Sequence, residues 1–415
     1  MSYNSGAIET EYIDPVSFTS SRCAFELNPT RLGILPNMRL LNVGAENDTG
    51  VSPYARGLGA LSIIKNIRLM DARTELSALR NVGPYIQFMN MNRSNDINKS
   101  NDSYLKRNAL GFEINGLNNK VDHIYSTGQS ATPADANSAT SYVDLRMLLP
   151  LLNRIAFLPT STFKNLRLEI EFHTSNLNSQ IILANGSVTT ALRPVLAYDY
   201  VDDPKILAPM KEMLMKGAEW SEIEWDNYVI PAVVLAGDTV ETQSTSNNSL
   251  GYIDKRIRRL LIVKTLLNPA LEIVGGNVVG FGGVASSQAV RKQLTQVRLN
   301  GRNTFPGFSG ISRPNEMLGT VVDAYGDMQA YPSSNLYQWS QMSNLISEEG
   351  LSGQAAYACC NIGARVANLQ VTIQRENNQD TSQKSATNDA LQVNLYAEVE
   401  KVITFSGDSY SVIYA

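Results

Sequence analysis

LRLEIEF, at residues Leu166–Phe172, is the most informative segment of the sequence, because a similar pattern recurs near the end of the chain. A polar segment follows it, and then comes Leu192–Val201 (LRPVLAYDYV). The second copy consists of Leu369–Arg375 (LQVTIQR), another polar segment and Leu391–Glu400 (LQVNLYAEVE). The first stretches of the two copies start 203 residues apart and the second stretches 199, a difference that loop length explains. This duplication predicts two copies of one β-domain.

The first of these stretches has the alternation of a half-buried strand. The apolar residues that point to one side are Leu166, Leu168, Ile170 and Phe172, and the charged residues between them are Arg167, Glu169 and Glu171. Similar strand signals recur along the chain with polar loops between them, and strands and helices do not alternate regularly. The pattern predicts antiparallel sandwiches with few helices, rather than a parallel sheet.

Length and composition agree with this interpretation. The chain has 415 residues, which favours two domains over one. Charged residues make up 18% of the chain and the net charge is −4, so no overall basic field attracts nucleic acid, and we expect no sequence-specific binding to it. The three cysteines are too few for a disulfide framework and indicate a reducing compartment. The sequence predicts neither a secretory signal nor a membrane span, and so a soluble protein assembled inside a cell.

The sequence predicts four segments. Polar residues 1–20 are expected to form an arm that becomes ordered only against another molecule. The first β-domain is predicted over 21–201, a linker helix over 202–218 and the second β-domain over 219–415. In the linker, Asp203 before Pro204 or a start at Pro209 suits the beginning of a helix, and Gly217 suits its end.

Two further expectations concern helices. Met210, Met213 and Leu214 should share one face of the linker helix, where packing across the domain junction is favoured over a groove for a partner. Tyr142–Phe157 has helical spacing interrupted by Pro150.

The sequence predicts no catalytic, cofactor-binding or metal-binding residues. The two histidines, His123 and His173, lack any metal-ligand or nucleophile motif and are expected to be structural or exposed. Gly275–Ala285 (GGNVVGFGGVA) formally contains the GxGxxA dinucleotide pattern. Neither a βαβ context nor the acidic residue about 20 positions later accompanies it, so a flexible loop is favoured.

The carboxylate pairs and the basic run are likewise not predicted to form a functional site. The carboxylate pairs Asp202-Asp203 and Glu348-Glu349 are adjacent in sequence and are expected at helix or turn starts, not facing each other across a cleft. The basic run Lys255–Arg259 (KRIRR) could contact phosphate or an acidic neighbour, but a solvated strand start or an ion-paired contact between subunits is favoured. The sequons at Asn47, Asn101 and Asn185 are interpreted as chance matches.

With this two-copy plan, the chain resembles the double jelly-roll major capsid proteins of icosahedral double-stranded DNA viruses, and among them the polinton-like virus, adintovirus and virophage group. The passages that carry the resemblance are Leu61–Leu79, Leu148–Phe172, Asp199–Gly217, Leu294–Pro306 and Leu391–Tyr414. The resemblance implies two tandem eight-stranded antiparallel jelly rolls joined by a short helical linker.

The resemblance also implies a function. Three chains would form a homotrimer with six similar rolls, a pseudo-hexameric capsomer that tiles an icosahedral shell around a double-stranded DNA genome. Its partners would be neighbouring capsomers and penton and minor capsid proteins. Its location would be the virion, after assembly inside the host cell.

Two alternatives remain open at this stage. One is a β-sandwich protein that binds or cleaves carbohydrate, for which Trp220, Trp225 and Trp339 are the available stacking residues. The other is a minor capsid or penton component, although a penton usually needs only one roll.

Overall fold

The computed structural model describes residues 8–41, 45–47, 64–92, 142–173, 188–191, 193–230, 242–266, 293–305, 320, 323–325, 357–376 and 391–415. Within these ranges the chain is built almost wholly from antiparallel strands. The strands up to Val201 pair with one another, and so do those from Ala218 onward, which gives two sets of sheets.

The first set of strands comprises β1 (Glu9–Ile13), β2 (Ser17–Phe18), β3 (Arg22–Glu26), β4 (Gly33–Ile34), β5 (Arg39–Leu41), β6 (Ala45–Asn47), β7 (Ile64–Asp71), β8 (Thr74–Arg80), β9 (Tyr142–Asp144), β10 (Leu158–Pro159), β11 (Leu166–Phe172), β12 (Val188–Ala191) and β13 (Val195–Val201). Helix α1 (Val82–Asn92) follows β8. One sheet has the order β10-β4-β13-β5-β9, with β1 on β13, and a second has the order β2-β3-β11-β7-β8. Strands β6 and β12 form a separate two-stranded sheet.

The second set comprises β14 (Ala218–Ile230), β15 (Thr242–Asn248), β16 (Arg256–Leu266), β17 (Gln293–Leu299), β18 (Arg302–Asn303), β19 (Tyr357–Arg365), β20 (Leu369–Glu376), β21 (Leu391–Ser406) and β22 (Ser409–Tyr414). Its sheets have the orders β14-β21-β16-β19, with β22 on β21, and β15-β20-β17-β18. Helix α2 (Pro204–Leu214) joins the two sets.

Both sets share one topology. When β4 with β5 and β9 with β10 count as single interrupted strands, and β2, β6, β12 and β22 are left aside, the described part of each set has eight principal strands. Their chain order is 1-8-3-6 in one sheet and 2-7-4-5 in the other. This is the order of a jelly roll, so the chain consists of two tandem eight-stranded rolls. The two duplicated stretches occupy equivalent positions in the rolls, since β11 and β20 are the seventh strands and β13 and β21 the eighth.

The cores of the rolls lie where the alternation predicts. In β11 the side chains of Leu166, Leu168, Ile170 and Phe172 are buried, and their counterparts Leu369, Val371 and Ile373 in β20 are buried as well. Both strands are flanked on each side by another strand of their sheet. The alternation in the sequence therefore identifies a central strand of each roll.

The expected arm is wrong from residue 9 onward. Strand β1 pairs with β13 along Glu9–Ile13, in the place that β14 takes beside β21. It is the first strand of the first roll, and it is ordered by its own chain and not by another molecule. The roll therefore begins about ten residues before the predicted boundary at 21, and residues 1–7 lie outside the described part.

The segment Tyr142–Phe157 is also corrected, because it forms no continuous helix. Strand β9 is followed by a 3-10 turn at Leu145–Met147, which the Asp144 carboxylate caps by accepting the Arg146 N–H. A second 3-10 turn spans Pro150–Asn153. Pro150 lacks an N–H, so it suits the first position of a new turn and not the interior of a helix.

Helix α2 begins at the first of the two predicted starts, with Pro209 inside it, and it ends at Leu214, three residues before Gly217. One residue of its expected buried face is exposed. Asp203 caps the start by accepting the Lys205 N–H at 2.9 Å. Leu207, Met210 and Leu214 are the buried residues, whereas Met213 is 56% exposed. Met213 lies three positions after Met210, a spacing that allows a shared face, but the buried face of the helix includes Leu207 and not Met213. The helix packs closely on β4, since a Cβ at Gly33 would meet Leu207 at 2.6 Å.

Gly217 lets the chain turn from α2 into β14. Its φ is +75°, and a Cβ there would lie 2.5 Å from the Ile403 carbonyl oxygen in β21.

We expect Gly217→Ala to lower the free energy of unfolding by about 3 kcal/mol, from the left-handed backbone and the clash together. Urea unfolding measures this. Gly301→Ala is the control, because Gly301 has a φ of +80° and open space around it. An equal loss in both variants would contradict the clash.

Candidate functional site

His173 is the one histidine within the described residues. It directly follows β11, and burial lowers the pKa of its imidazole to about 4, with Lys65 lowering it further and Glu171 opposing. A neutral imidazole packed at a strand end is structural. His123 lies outside the described residues, and within those residues no group of three or more His, Cys, Asp or Glu side chains could hold a metal ion.

The Asp202-Asp203 pair, which lies within the described residues, accepts hydrogen bonds from backbone N–H groups. The Asp202 carboxylate accepts the Leu32 N–H at 2.8 Å and pairs with Arg31, while Asp203 caps α2. Two carboxylates occupied in this way do not face each other across a cleft, in agreement with the prediction. Glu348-Glu349 lies outside the described residues.

The basic run leads into β16 as a row of ion pairs. Lys255 pairs with Glu224, Arg256 with Glu400 and Arg259 with Glu398, and all three partners belong to the same chain. Lys255 also lies 4.4 Å from the centre of the Tyr414 ring. The described pairs lie within one chain and not in the expected contact between subunits. They favour an ion-paired strand start over a phosphate site.

The three cysteines are free and buried. Burial raises the pKa of Cys23 and of Cys360 to about 12, and it also raises the pKa of Cys359. Thiols in this state are neutral and poor nucleophiles at neutral pH. Their role is packing.

The tryptophans do not form a carbohydrate platform in the described part of the chain. Trp220 is buried and donates its indole N–H to Glu222. Trp225 is half-buried and donates its indole N–H to Asn394. Trp339, Gly275–Ala285 and the sequons at Asn101 and Asn185 lie outside the described residues. No described helix combines the length and the apolar character needed to cross a bilayer.

What the structure brings together instead is a junction between the rolls, centred on Glu222. Its carboxylate accepts the Ser77 hydroxyl and the Ala78 N–H of β8, both at 3.1 Å, and the Trp220 indole at 2.8 Å. Glu222 is 2% exposed, and burial raises the pKa of its carboxyl, while Lys401 opposes that shift. A carboxylate of the second roll is thus held by the fifth strand of the first roll.

A second part of the junction lies at the start of α1. Asn81 has a φ of +51°, a conformation that asparagine tolerates better than most residues. Its side-chain amide donates to the Asn394 side-chain oxygen at 2.9 Å, and its carbonyl accepts the Tyr396 hydroxyl at 2.7 Å. The rings of Tyr85 and Tyr396 lie 5.3 Å apart. Helix α1 of the first roll is therefore fixed on β21 of the second.

A third part involves the C-terminal hairpin. Tyr410 of β22 donates its hydroxyl to the Asp71 carboxylate at 2.8 Å. The ring of Phe163 contacts Phe405 and Tyr410, with centroids 5.9 and 4.7 Å apart. Three separate contacts thus tie the two rolls together.

The duplication extends into ion pairs on the outer face. Arg39 pairs with Asp199 at 2.6 Å in the first roll, and Arg259 pairs with Glu398 at 2.8 Å in the second. Asp199 and Glu398 are 199 residues apart, the same spacing as the duplicated last strands. Each pair links the third strand of its roll to the eighth.

The first strands of the two rolls, β1 and β14, are also duplicated, which was not predicted from the sequence. Glu9 lies opposite Tyr200, and Glu222 lies opposite Val399, 199 residues after Tyr200. The same register aligns ETEY (Glu9–Tyr12) with EIEW (Glu222–Trp225). The first strands of both rolls therefore share two glutamates and an aromatic residue. The second glutamate of each is paired with a base, Glu11 with Arg31 and Glu224 with Lys255.

A strand order of this kind, repeated twice in one chain, defines the class as a double jelly roll. No protein-family model and no curated protein sequence matches the chain. Among solved structures it is similar to a chain of the Sputnik virophage structure, with 13% identity and a TM-score of 0.57, over 98% of this chain and 88% of that one. It is also similar to the mavirus major capsid protein, with 7% identity and a TM-score of 0.53, over 100% and 91%. A chain of the PBCV-1 virus capsid aligns over 100% and 99%, with 12% identity and a TM-score of 0.50.

At such identities the comparisons establish the fold. They confirm the predicted double jelly roll over nearly the whole chain, including the helical linker between the rolls.

Proposed function

We propose that the chain is the major capsid protein of an icosahedral double-stranded DNA virus. It would form a homotrimer whose six rolls make a pseudo-hexameric capsomer. The observation that carries the proposal is the pair of complete rolls with identical strand order in one chain, locked together by the Glu222, Asn81 and Tyr410 contacts. Three such chains around an axis present six similar units to a six-coordinated lattice.

Two observations support a structural role over a catalytic one. The carboxylates and bases that the sequence offered as candidates are used in caps and ion pairs wherever they are described. The solved structures with the same fold include a mavirus major capsid protein and a PBCV-1 capsid chain. In this proposal the domains are the first roll to Val201, the linker over α2 and the second roll from Ala218.

The proposal extends to partners and location. Neighbouring capsomers would contact the outer surfaces of the trimer, and penton and minor capsid proteins would fill the positions that a hexagonal unit cannot occupy. Many weak contacts between capsomers would add up through multivalency. The protein would reside in the virion shell around the genome, after assembly inside the host cell.

Light scattering coupled to size exclusion tests the proposal. We expect a particle of three times the 45.5 kDa of one chain, and larger shells at higher concentration. A monomer that stays a monomer at high concentration would overturn the trimer. Retention of that monomer on a glycan array would favour the carbohydrate-binding alternative.

A further inference from the structure

The first strands of the two rolls are equivalent in register but differ in what covers them. Strand β14 of the second roll contacts β8 and the 3-10 turn at Pro150–Asn153 of the first roll. Along it, Glu222 and Ile223 are buried, and Trp225 is half-buried. Their counterparts in β1 are Glu9, Thr10 and Tyr12, and all three are exposed, Tyr12 to 65%. A strand that is covered in one roll is therefore open in the other.

The element that covers β14 also has a counterpart. Strand β8 is the fifth strand of the first roll, and β18 is the fifth strand of the second. Ser77, which donates to Glu222, lies opposite Leu69 in β7. Leu69 and Val297 hold equivalent positions, since each lies opposite the third residue of its seventh strand, Leu168 or Val371.

In this register Thr304 is the counterpart of Ser77. Its backbone N–H donates to the Val297 carbonyl at 2.9 Å, so it occupies the place that Ser77 holds in the first roll. Both residues carry a hydroxyl. The second roll therefore carries a corresponding edge at Arg302–Phe305, in the same hairpin position as the edge that covers β14. In this edge the Thr304 hydroxyl donates to the Val297 carbonyl at 3.0 Å, so the two edges agree in position and not in the bond that the hydroxyl makes.

Within one chain, the edge at Arg302–Phe305 and strand β1 cannot make the contact that β8 and β14 make. The fifth strand of the first roll already covers β14, and β1 remains open on the opposite roll. If each chain places its second-roll edge on β1 of the next copy, every roll receives the same contact. Such a head-to-tail contact is heterologous, and it closes into a ring when the rotation per subunit fits.

We infer that β1 is the docking surface for a second copy of this chain, with the second-roll edge at Arg302–Phe305 of that copy placed against Glu9–Tyr12. The inference rests on the proposed trimer and assigns its subunit contact. The aromatic ring of Tyr12 takes the position of Trp225, and buried aromatic residues are frequent anchors of interfaces. The contact within the chain and the contact between chains would then alternate around the ring.

Tyr12→Arg tests the surface, with Leu250→Arg as the matched control. Leu250 is 73% exposed and lies in the 3-10 turn Leu250–Tyr252 of the second roll, outside both proposed edges. We expect Tyr12→Arg to raise the concentration at which the trimer dissociates at least tenfold, with the same thermal unfolding midpoint for the dissociated chain. The control should dissociate like the wild type. A wild-type monomer would remove the proposed function itself, whereas a wild-type trimer that Tyr12→Arg leaves intact would overturn this inference alone.

Photo-cross-linking decides which copy covers β1, and it does not depend on the arginine variant folding. Tyr12→p-benzoylphenylalanine is prepared in a mixture of copies labelled with light and heavy nitrogen, so that links between copies can be told from links within one. We expect links from position 12 to residues 293–305 of another copy. Links to the same chain, or to the first roll of another copy, would overturn the inference.

Discussion

Glu222→Ala is expected to lower the free energy of unfolding by about 3–5 kcal/mol, which is the range for breaking a buried charged contact by removing one partner. The substitution leaves the Ser77 hydroxyl, the Ala78 N–H and the Trp220 indole N–H without their acceptor at a buried site. It also removes the carboxylate near Lys401, which is 5% exposed. Urea unfolding followed by circular dichroism gives the size of the loss.

The control for this variant is Glu219→Ala, on the same strand and exposed. Its effect should stay within about 0.5 kcal/mol. Ser77→Ala removes one of the three donors, so it should cost about 1 kcal/mol alone and almost nothing in the Glu222→Ala background. Additive losses in the double variant would show that Ser77 and Glu222 do not act as one contact.

Glu222→Gln separates the charge from the hydrogen bonds. Burial raises the pKa of the Glu222 carboxyl above its ordinary value of 4.5, so the folded chain binds that proton more tightly than the unfolded chain does. The resulting stability is fully present below pH 4.5 and is lost as the pH rises through the folded pKa. The wild type should therefore lose stability relative to Glu222→Gln as the pH rises above 4.5. A constant difference over that range would count against the raised pKa.

The strands that the sequence predicted best are central ones. Leu166–Phe172 alternates cleanly because one of its faces meets the core and the other carries charges that pair along the sheet, as Glu169 does with Arg22 and Arg68. The corresponding strand β20 and the last strands β13 and β21 are long enough for their similarity to be seen by spacing. The helical linker was predictable as well, because Asp203-Pro204 and Gly217 are local signals at its two ends.

Strand β1 was not predictable by the same means. Of its five residues only Ile13 packs against the core cluster, together with Ile8 just before the strand, and three of its side chains are exposed, so it has the polarity of an arm. Its likeness to β14 appears only after the pairing register aligns ETEY with EIEW. The junction was hidden for another reason. Ser77 and Glu222 are 145 residues apart in sequence, and no local pattern connects a serine hydroxyl on one strand with a carboxylate on a distant one.

Leu168→Ala and Val371→Ala are expected to shift one common unfolding transition, although they lie in different rolls. Each residue is completely buried on the seventh strand of its roll. We expect losses of about 3 kcal/mol for the leucine and about 2 kcal/mol for the valine, from lost burial and the cavity left behind. Because the junction ties the rolls together at three places, a roll cannot unfold without breaking those contacts.

The tryptophans make this coupling measurable. All three, Trp220, Trp225 and Trp339, follow residue 218, so their fluorescence reports on the second half of the chain, whereas far-ultraviolet circular dichroism reports on both. Leu168→Ala should therefore lower the fluorescence midpoint in urea together with the dichroism midpoint, at one fixed protein concentration. Lys164→Ala, an exposed change in the turn before β11, is the control. If the fluorescence midpoint of Leu168→Ala stayed at the wild-type value while the dichroism transition split in two, the rolls would be independent. The same splitting is the expected behaviour of Leu168→Ala combined with Glu222→Ala, because that pair weakens the first roll and removes the central contact of the junction.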